Sequence, residues 1–222
     1  MPYKIQYMFK SILYSALCIL VFASCTKSGY DEAVVYNSNF NTGDKTGLDG
    51  AILYKYNGAN IIGRYNKGGF SLNLVNLPKH KAIQIEVVPY FHNSWDGNNN
   101  YGGIDGPDIW TMYADGQELV RSTFSNSPCE SLYCLFQSYP VSYSSVNNPP
   151  MTEAVKVFEG TTDNCSGNNR SSMYRIVKTI AHTNSSLSLS FRDFLVQTNV
   201  PNPICDESWS MASIVVKVIN LP

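Results

Sequence analysis

A chain of 222 residues with 16 Lys and Arg against 17 Asp and Glu is nearly neutral, and only 15% of it is charged. No basic tract or clustered Lys/Arg face is present, which argues against nucleic acid as a partner.

The first segment is an address. Lys4 and Lys10 precede an apolar run from Ile12 to Phe22, which ends in Ala23, Ser24 and Cys25. A positive start, a short apolar stretch and a small-residue cleavage site form a signal peptide. The run is too short for a membrane span, which needs about 20 apolar residues. The sequence Phe-Ala-Ser-Cys resembles the lipobox of bacterial lipoproteins, with Phe22 standing where Leu is usual. That resemblance implies cleavage after residue 24 and a lipid on Cys25. It places the protein in the cell envelope of a Gram-negative bacterium, held to the outer membrane on its periplasmic or its outer face. The lipid anchor makes the membrane its first partner.

Residues 25–45 are polar and read as a tether leading into a first strand over 33–36, and residues 46–222 read as one β-sandwich domain. Alternating apolar and polar positions predict strands over 70–77 and 82–91, separated by Pro78. Further runs lie at 109–116, 119–124, 154–158, 173–181, 186–191 and 214–219. No segment holds a helical period over three turns. Fifteen tyrosines and ten phenylalanines, with fifteen glycines and eleven prolines, suit aromatic-rich strands joined by irregular loops. The expected fold is an all-β, antiparallel, jelly-roll-like β-sandwich, with an immunoglobulin-like sandwich as the alternative.

With Cys18 inside the signal segment and Cys25 lipidated, four cysteines remain: Cys129, Cys134, Cys165 and Cys205. An even number in an exported chain predicts disulfides, with three pairings open. The expected pairs are Cys129–Cys134 and Cys165–Cys205. A zinc site would want a C-x2-C spacing or interleaved His, and neither occurs.

Between Trp95 and Trp110 the chain gathers oxygen. Asp96, Asn98 and Asn100 alternate, and Asp105 and Asp108 follow a pair of glycines. Hard cations such as Ca²⁺ take six to eight oxygens, and a run of this kind can turn several inward. Asp206 and Glu207 are a second acidic pair, and Asp44 and Asp49 are weaker candidates. An EF-hand is ruled out, because Tyr101 and Pro107 stand where Gly and Glu would be needed. Asn, Asp and Gly are also ordinary turn vocabulary. Trp95 and Tyr101 are the expected ligand-stacking aromatics, whereas Trp110 reads as core.

The succession LPKH, SWDG, GPDIW, TFSN, QSYP, IAHTNSSLSLSF and DESW resembles a signature of extracellular bacterial β-sandwich modules, lectin-like or MAM-like, across residues 60–218. The resemblance implies a jelly-roll module without established enzymatic activity, and a structural calcium ion. The pattern departs at Ser210–Ser213, where Gly, an aliphatic residue, Asp and Asn would be expected.

No nucleophile elbow, zinc-protease motif, P-loop or dinucleotide fingerprint occurs. The expected function is therefore a non-catalytic binding module for a glycan or an envelope protein. A glycosidase using two of Glu86, Glu118, Glu153 and Glu159 is the alternative, and a purely structural envelope protein is the other.

Overall fold

A computed structural model describes residues 31–160, 165 and 170–220. The lipobox and Cys25 lie outside the described residues. Alternation of apolar and polar residues becomes two stacked antiparallel sheets, and the side chains that point inward between them form the core. The first sheet has eight strands in the order β3-β4-β13-β6-β10-β9, with β1 also on β13 and β11 also on β6. Its members are β1 (Asp31–Ser38), β3 (Leu53–Tyr56), β4 (Ala59–Tyr65), β6 (Ala82–Asn93), β9 (Lys156–Phe158), β10 (Ser171–Met173), β11 (Ile176–Ala181) and β13 (Glu207–Asn220). The second sheet has five strands in the order β2-β5-β12-β7-β8. These are β2 (Leu48–Asp49), β5 (Gly69–Val75), β12 (Ser186–Asp193), β7 (Ile109–Ala114) and β8 (Gln117–Thr123). The fold is the expected antiparallel, jelly-roll-like sandwich.

Strand β6 shows how sequence period sets the layers. Ile83, Ile85, Val87 and Phe91 face the other sheet and are fully buried, while Gln84, Glu86, Val88 and Tyr90 lie on the outer face and are half-buried. Its long partner β13 pairs with it from Glu207 to Ile219, with one irregularity between Met211 and Ser213 that resets the alternation. Between the sheets an aromatic cluster dominates. Phe91 and Phe124 stack with ring centroids 3.8 Å apart, and Trp95, Trp110 and Tyr174 meet Phe91 edge-on.

The first strand stands where it was expected within the 25–45 segment and runs longer, Asp31–Ser38 against 33–36, because it pairs with β13. Two other points of the sequence reading need correction. The hairpin β3–β4 escaped the reading, although Asn57-Gly58 at its tip is a strong hairpin signal, both residues having positive φ (47° and 83°). The last strand begins at Glu207 rather than 214: Trp209 and Met211 point into the core, while Ser208 and Ser210 lie on the other face of the strand, toward Arg64 and His92.

Both expected disulfides are present, Cys129–Cys134 and Cys165–Cys205. The second secures the single helical turn α1 (Pro203–Asp206) immediately before β13.

Candidate functional site

The 95–110 loop is held by both of its tryptophans and by its backbone. Trp95 and Trp110 are completely buried, and Trp95 Nε1 donates to the Ser208 carbonyl at 2.9 Å. Trp95 is therefore core, and the expectation that it stacks on a ligand is wrong: a ring closed off on every side has no face to offer. Tyr101 is 44% exposed, and its hydroxyl meets that of Tyr133. Two glycines allow the loop to close. Gly97 (φ 71°) and Gly106 (φ 67°) each lie so close to a neighbouring carbonyl, Phe136 O and Asn99 O, that a Cβ would sit 2.2 Å from it. Gly102 and Gly103 face open space.

This closure brings Asp96, Asp105 and Asp108 together with Asp206 and Glu207, which arrive from α1 and the start of β13. Asp108 is the centre. One carboxylate oxygen, Oδ2, accepts the backbone amides of Asp96 and of Gly97, the latter at 3.1 Å. Its other oxygen, Oδ1, is buried without a partner, as are Asp105 Oδ1 and Glu207 Oε2. Buried Asp193 provides an internal standard. Its carboxylate takes N–H bonds from Lys67 at 2.7 Å, Gly68 at 3.1 Å, Leu195 at 3.3 Å and Trp209 Nε1 at 2.8 Å. The chain can thus satisfy a buried carboxylate with its own donors, and at the loop cluster it does so only in part.

The electrostatics follow. Burial, then Asp105 and Asp206, push the Asp96 carboxyl up to about 7. Burial raises Asp105, assisted by Asp206 and opposed by the Asn199 amide, which donates to Asp105 Oδ2 at 3.0 Å. Asp108 and Glu207 are both pushed well upward, first by burial and then by neighbouring acids. A set of acids so placed keeps protons or takes a cation.

Of the residues expected to bind metal, Asp96, Asp105, Asp108, Asp206 and Glu207 are assembled, and Asn98 and Asn100 are not. Asn98 turns toward the 146–147 segment, donating to Val146 O at 2.9 Å and Asn147 Oδ1 at 2.7 Å, and it accepts from Thr123. Asn100 Oδ1 accepts the Gly103 amide at 2.6 Å, closing a local turn. Asp44 likewise caps the Thr46 amide at 2.8 Å. Sequence reasoning missed the polar frame of the cluster. Gln197 holds Asp206 Oδ2 at 3.0 Å, Ser94 holds Asp206 Oδ1 at 2.7 Å, and Asn66 links Gln197 to the Glu207 carbonyl. The carboxylates converge without forming a closed cage. Among the described residues no three His, Cys, Asp or Glu side chains stand in a ready metal-ligand arrangement.

Three of the four glutamates considered for hydrolysis are engaged in other contacts. Glu86 pairs with Arg175 at 2.6 Å, Glu159 with Arg170 at 2.7 Å, and Glu118 accepts the Tyr113 hydroxyl at 2.9 Å.

No family model matches the chain, and no curated protein matches it. Among solved structures it is similar to a carbohydrate binding module from Cellvibrio mixtus lichenase 5A in complex with cellotriose, at 12% identity over 83% of this chain and 97% of that one, with a TM-score of 0.35. It is also similar to a family 35 carbohydrate binding module from Clostridium thermocellum, at 7% identity over 84% and 97%, with a TM-score of 0.36. A third similar structure is an exo-beta-1,3-galactanase from Phanerochaete chrysosporium, at 10% identity over 75% of this chain, with a TM-score of 0.32; the chain spans only 26% of that enzyme. The overlaps are loose, and at these identities no binding residue carries over to this chain.

Proposed function

We propose that this protein is a non-catalytic binding module of the bacterial envelope, anchored by lipid on Cys25 and directed at a glycan, whose loop cluster holds one structural divalent cation. The observation that carries the cation is the set of buried, partnerless oxygens on Asp105, Asp108 and Glu207. An unpaired buried oxygen costs about 1–3 kcal/mol, and an ion contacting several would offset that cost together. Asp96, Asp105, Asp108, Asp206 and Glu207 would hold it. The all-oxygen donor set is hard, which favours Ca²⁺ over zinc or copper. Its role is to fix the 96–108 loop against α1 and the start of β13. The envelope address is supported by the residue 1–25 pattern and by two disulfides, which belong to an oxidising compartment.

Thermal melts in EDTA and in added Ca²⁺ test the cation. A ligand at 100 times its Kd that binds only the folded state adds about 2.7 kcal/mol, and each kcal/mol moves Tm by about 2–4 °C in a domain of this size. The expected result is a rise of several degrees with Ca²⁺ that EDTA reverses. An identical Tm in both buffers would leave Asp108 and Glu207 sharing a proton instead.

A further inference from the structure

Away from the loop cluster, the outer face of the eight-stranded sheet carries a cleft of about 330 Å³. That volume lies at the lower end of the range for small-ligand sites, about 300–1,000 Å³. Three aromatic residues from separate strands form its floor. Tyr56 on β3, Tyr90 on β6 and Phe158 on β9 pack with ring centroids 5.4, 5.7 and 6.4 Å apart. These rings are not part of the core between the sheets. They form a second apolar surface on the side of the sheet where polar residues would ordinarily face water. Tyr90 and Phe158 remain half-exposed, and burial raises the Tyr90 hydroxyl above its ordinary value.

The walls are carboxamides. Asn39 and Asn41 come from the turn after β1, and Asn57 and Asn60 from the β3–β4 hairpin. Asn60 Nδ2 donates to the Asn41 carbonyl at 3.0 Å, and the Asn41 amide donates to Asn39 Oδ1 at 3.2 Å, so the two segments brace each other. Asn39 Nδ2, Asn60 Oδ1 and the Asn41 side-chain amide make no hydrogen bond among the described residues. A carboxamide presents both donors and an acceptor. No acidic or basic residue lines the cleft. Lys156 Nζ, outside the lining, lies 4.6 Å from the Phe158 ring centroid and covers that ring rather than a wall. The far side is closed by Ala212 and Ser213 of β13, both small.

Flat apolar rings beneath uncharged groups that donate and accept fit a ligand with an apolar face and a rim of hydroxyls. A charged ligand would find no counter-charge in the lining and would lose its hydration without replacement. The larger cleft elsewhere on the molecule, about 360 Å³, is of opposite character: Lys67 and Arg192 line it beside Asp49 and Asp193. We infer that the outer-face cleft over Tyr56, Tyr90 and Phe158 is the ligand site of this protein, and that it takes an uncharged saccharide unit of one or a few residues. This inference rests on the reading of the protein as a glycan-binding module and supplies the place and the ligand class.

The test uses the full chain, purified with its anchor in detergent and in Ca²⁺. It is probed by calorimetry against neutral oligosaccharides (gluco-, xylo-, manno- and galacto-configured) and against oligogalacturonate as an acidic comparator. The expected result is binding of at least one neutral probe and none of the acidic one. Tyr90→Ala should weaken that binding by about tenfold or more. Ser213→Lys, which fills the cleft from an outer-face position without removing a floor ring, should abolish it and should melt near the unaltered protein, which separates blockage from misfolding. Arg192→Gln, in the charged cleft, should leave it unchanged. Neutral-probe binding that survives both Tyr90→Ala and Ser213→Lys overturns the cleft and leaves the binding-module reading standing. Preference for the acidic probe, or loss of binding with Arg192→Gln, overturns the cleft in favour of the charged one. Failure of every probe to bind overturns both.

Discussion

At the loop end of the sandwich five acidic side chains converge, and Asp108 and Glu207 are almost wholly removed from water. On the outer face of the larger sheet the arrangement is reversed: the cleft is open, yet its lining holds no acid and no base. The difference lies in what each region needs in order to be stable. A buried carboxylate is tolerable only with a proton, a donor or a cation, so the loop end is conditional on its surroundings. Carboxamides and aromatic rings satisfy themselves or face water at little cost, so the cleft is indifferent to pH and ions over a wide range.

The largest effect should come from breaking the loop end sterically. Gly97→Ala places a Cβ 2.2 Å from the Phe136 carbonyl at a φ of 71°, and a destabilisation of about 3 kcal/mol or more is expected in denaturant melts. Gly102→Ala has a similar φ (67°) but open space around it, so about 1 kcal/mol is expected. Equal losses at the two positions would show that the closure of the loop is not what matters. Neither change should alter ligand binding at the outer face beyond what lost stability explains.

Next in size is the charge of Asp108. Asp108→Asn keeps an oxygen able to accept the Asp96 and Gly97 amides while removing a buried negative charge. In EDTA the variant should be more stable than the unaltered chain by about 1–2 kcal/mol, and it should lose the response to Ca²⁺. A variant that melts lower in EDTA and still responds to Ca²⁺ would place the ion elsewhere.

The smallest effect sharpens the contrast from the other side. His92 lies under the cleft floor, its ring 4.8 Å from that of Tyr56, with Ser171 Oγ at 2.9 Å and Ser210 Oγ at 2.6 Å from its two nitrogens. Burial, then Arg64, lowers its pKa well below the ordinary 6.5. The unfolded chain therefore binds a proton below about pH 6.5 that the folded one refuses. Stability should be flat above that pH and fall as the pH drops below it, by up to about 1.4 kcal/mol per unit. His92→Gln should flatten this slope between pH 6.5 and pH 5 when melts are compared in Ca²⁺. An unchanged slope would assign the acid sensitivity to another group.

The strands were legible because period-two alternation is local, and runs such as residues 82–91 and 186–191 carry it without interruption. Strand β4 was not, because Ile61 and Ile62 are adjacent and both buried, Ile62 in the core and Ile61 at the outer-face cleft, and the apolar pair interrupts the alternation. The turn at Asn57-Gly58 was the signal that would have revealed it. The acidic members of the loop cluster could be listed from sequence, since carboxylates are few and a buried one is conspicuous. The two asparagines were misassigned because a carboxamide serves a local turn and a distant ligand equally well, and the sequence alone does not show which it faces. Trp95 was misjudged because an aromatic in a polar stretch looks exposed, whereas here the polar stretch wraps it. The outer-face cleft could not be read at all: its parts come from residues 39–41, 56–61, 90, 158 and 212–213, and only the strand order brings them together.

One short stretch of β13 and its approach carries an unusual density of tasks. Cys205 holds the disulfide, Asp206 and Glu207 enter the acidic cluster, and Ser208 accepts Arg64 Nε at 2.7 Å. Trp209 fills the core and donates to Asp193, Ser210 meets His92, and Ala212 and Ser213 wall the cleft. Nine successive positions thus leave almost no residue with a single neighbour to please. In a saturation mutagenesis scan scored for surface display, this segment should form the longest uninterrupted intolerant block, and the 99–104 tip, though it sits beside the acids, should accept most replacements.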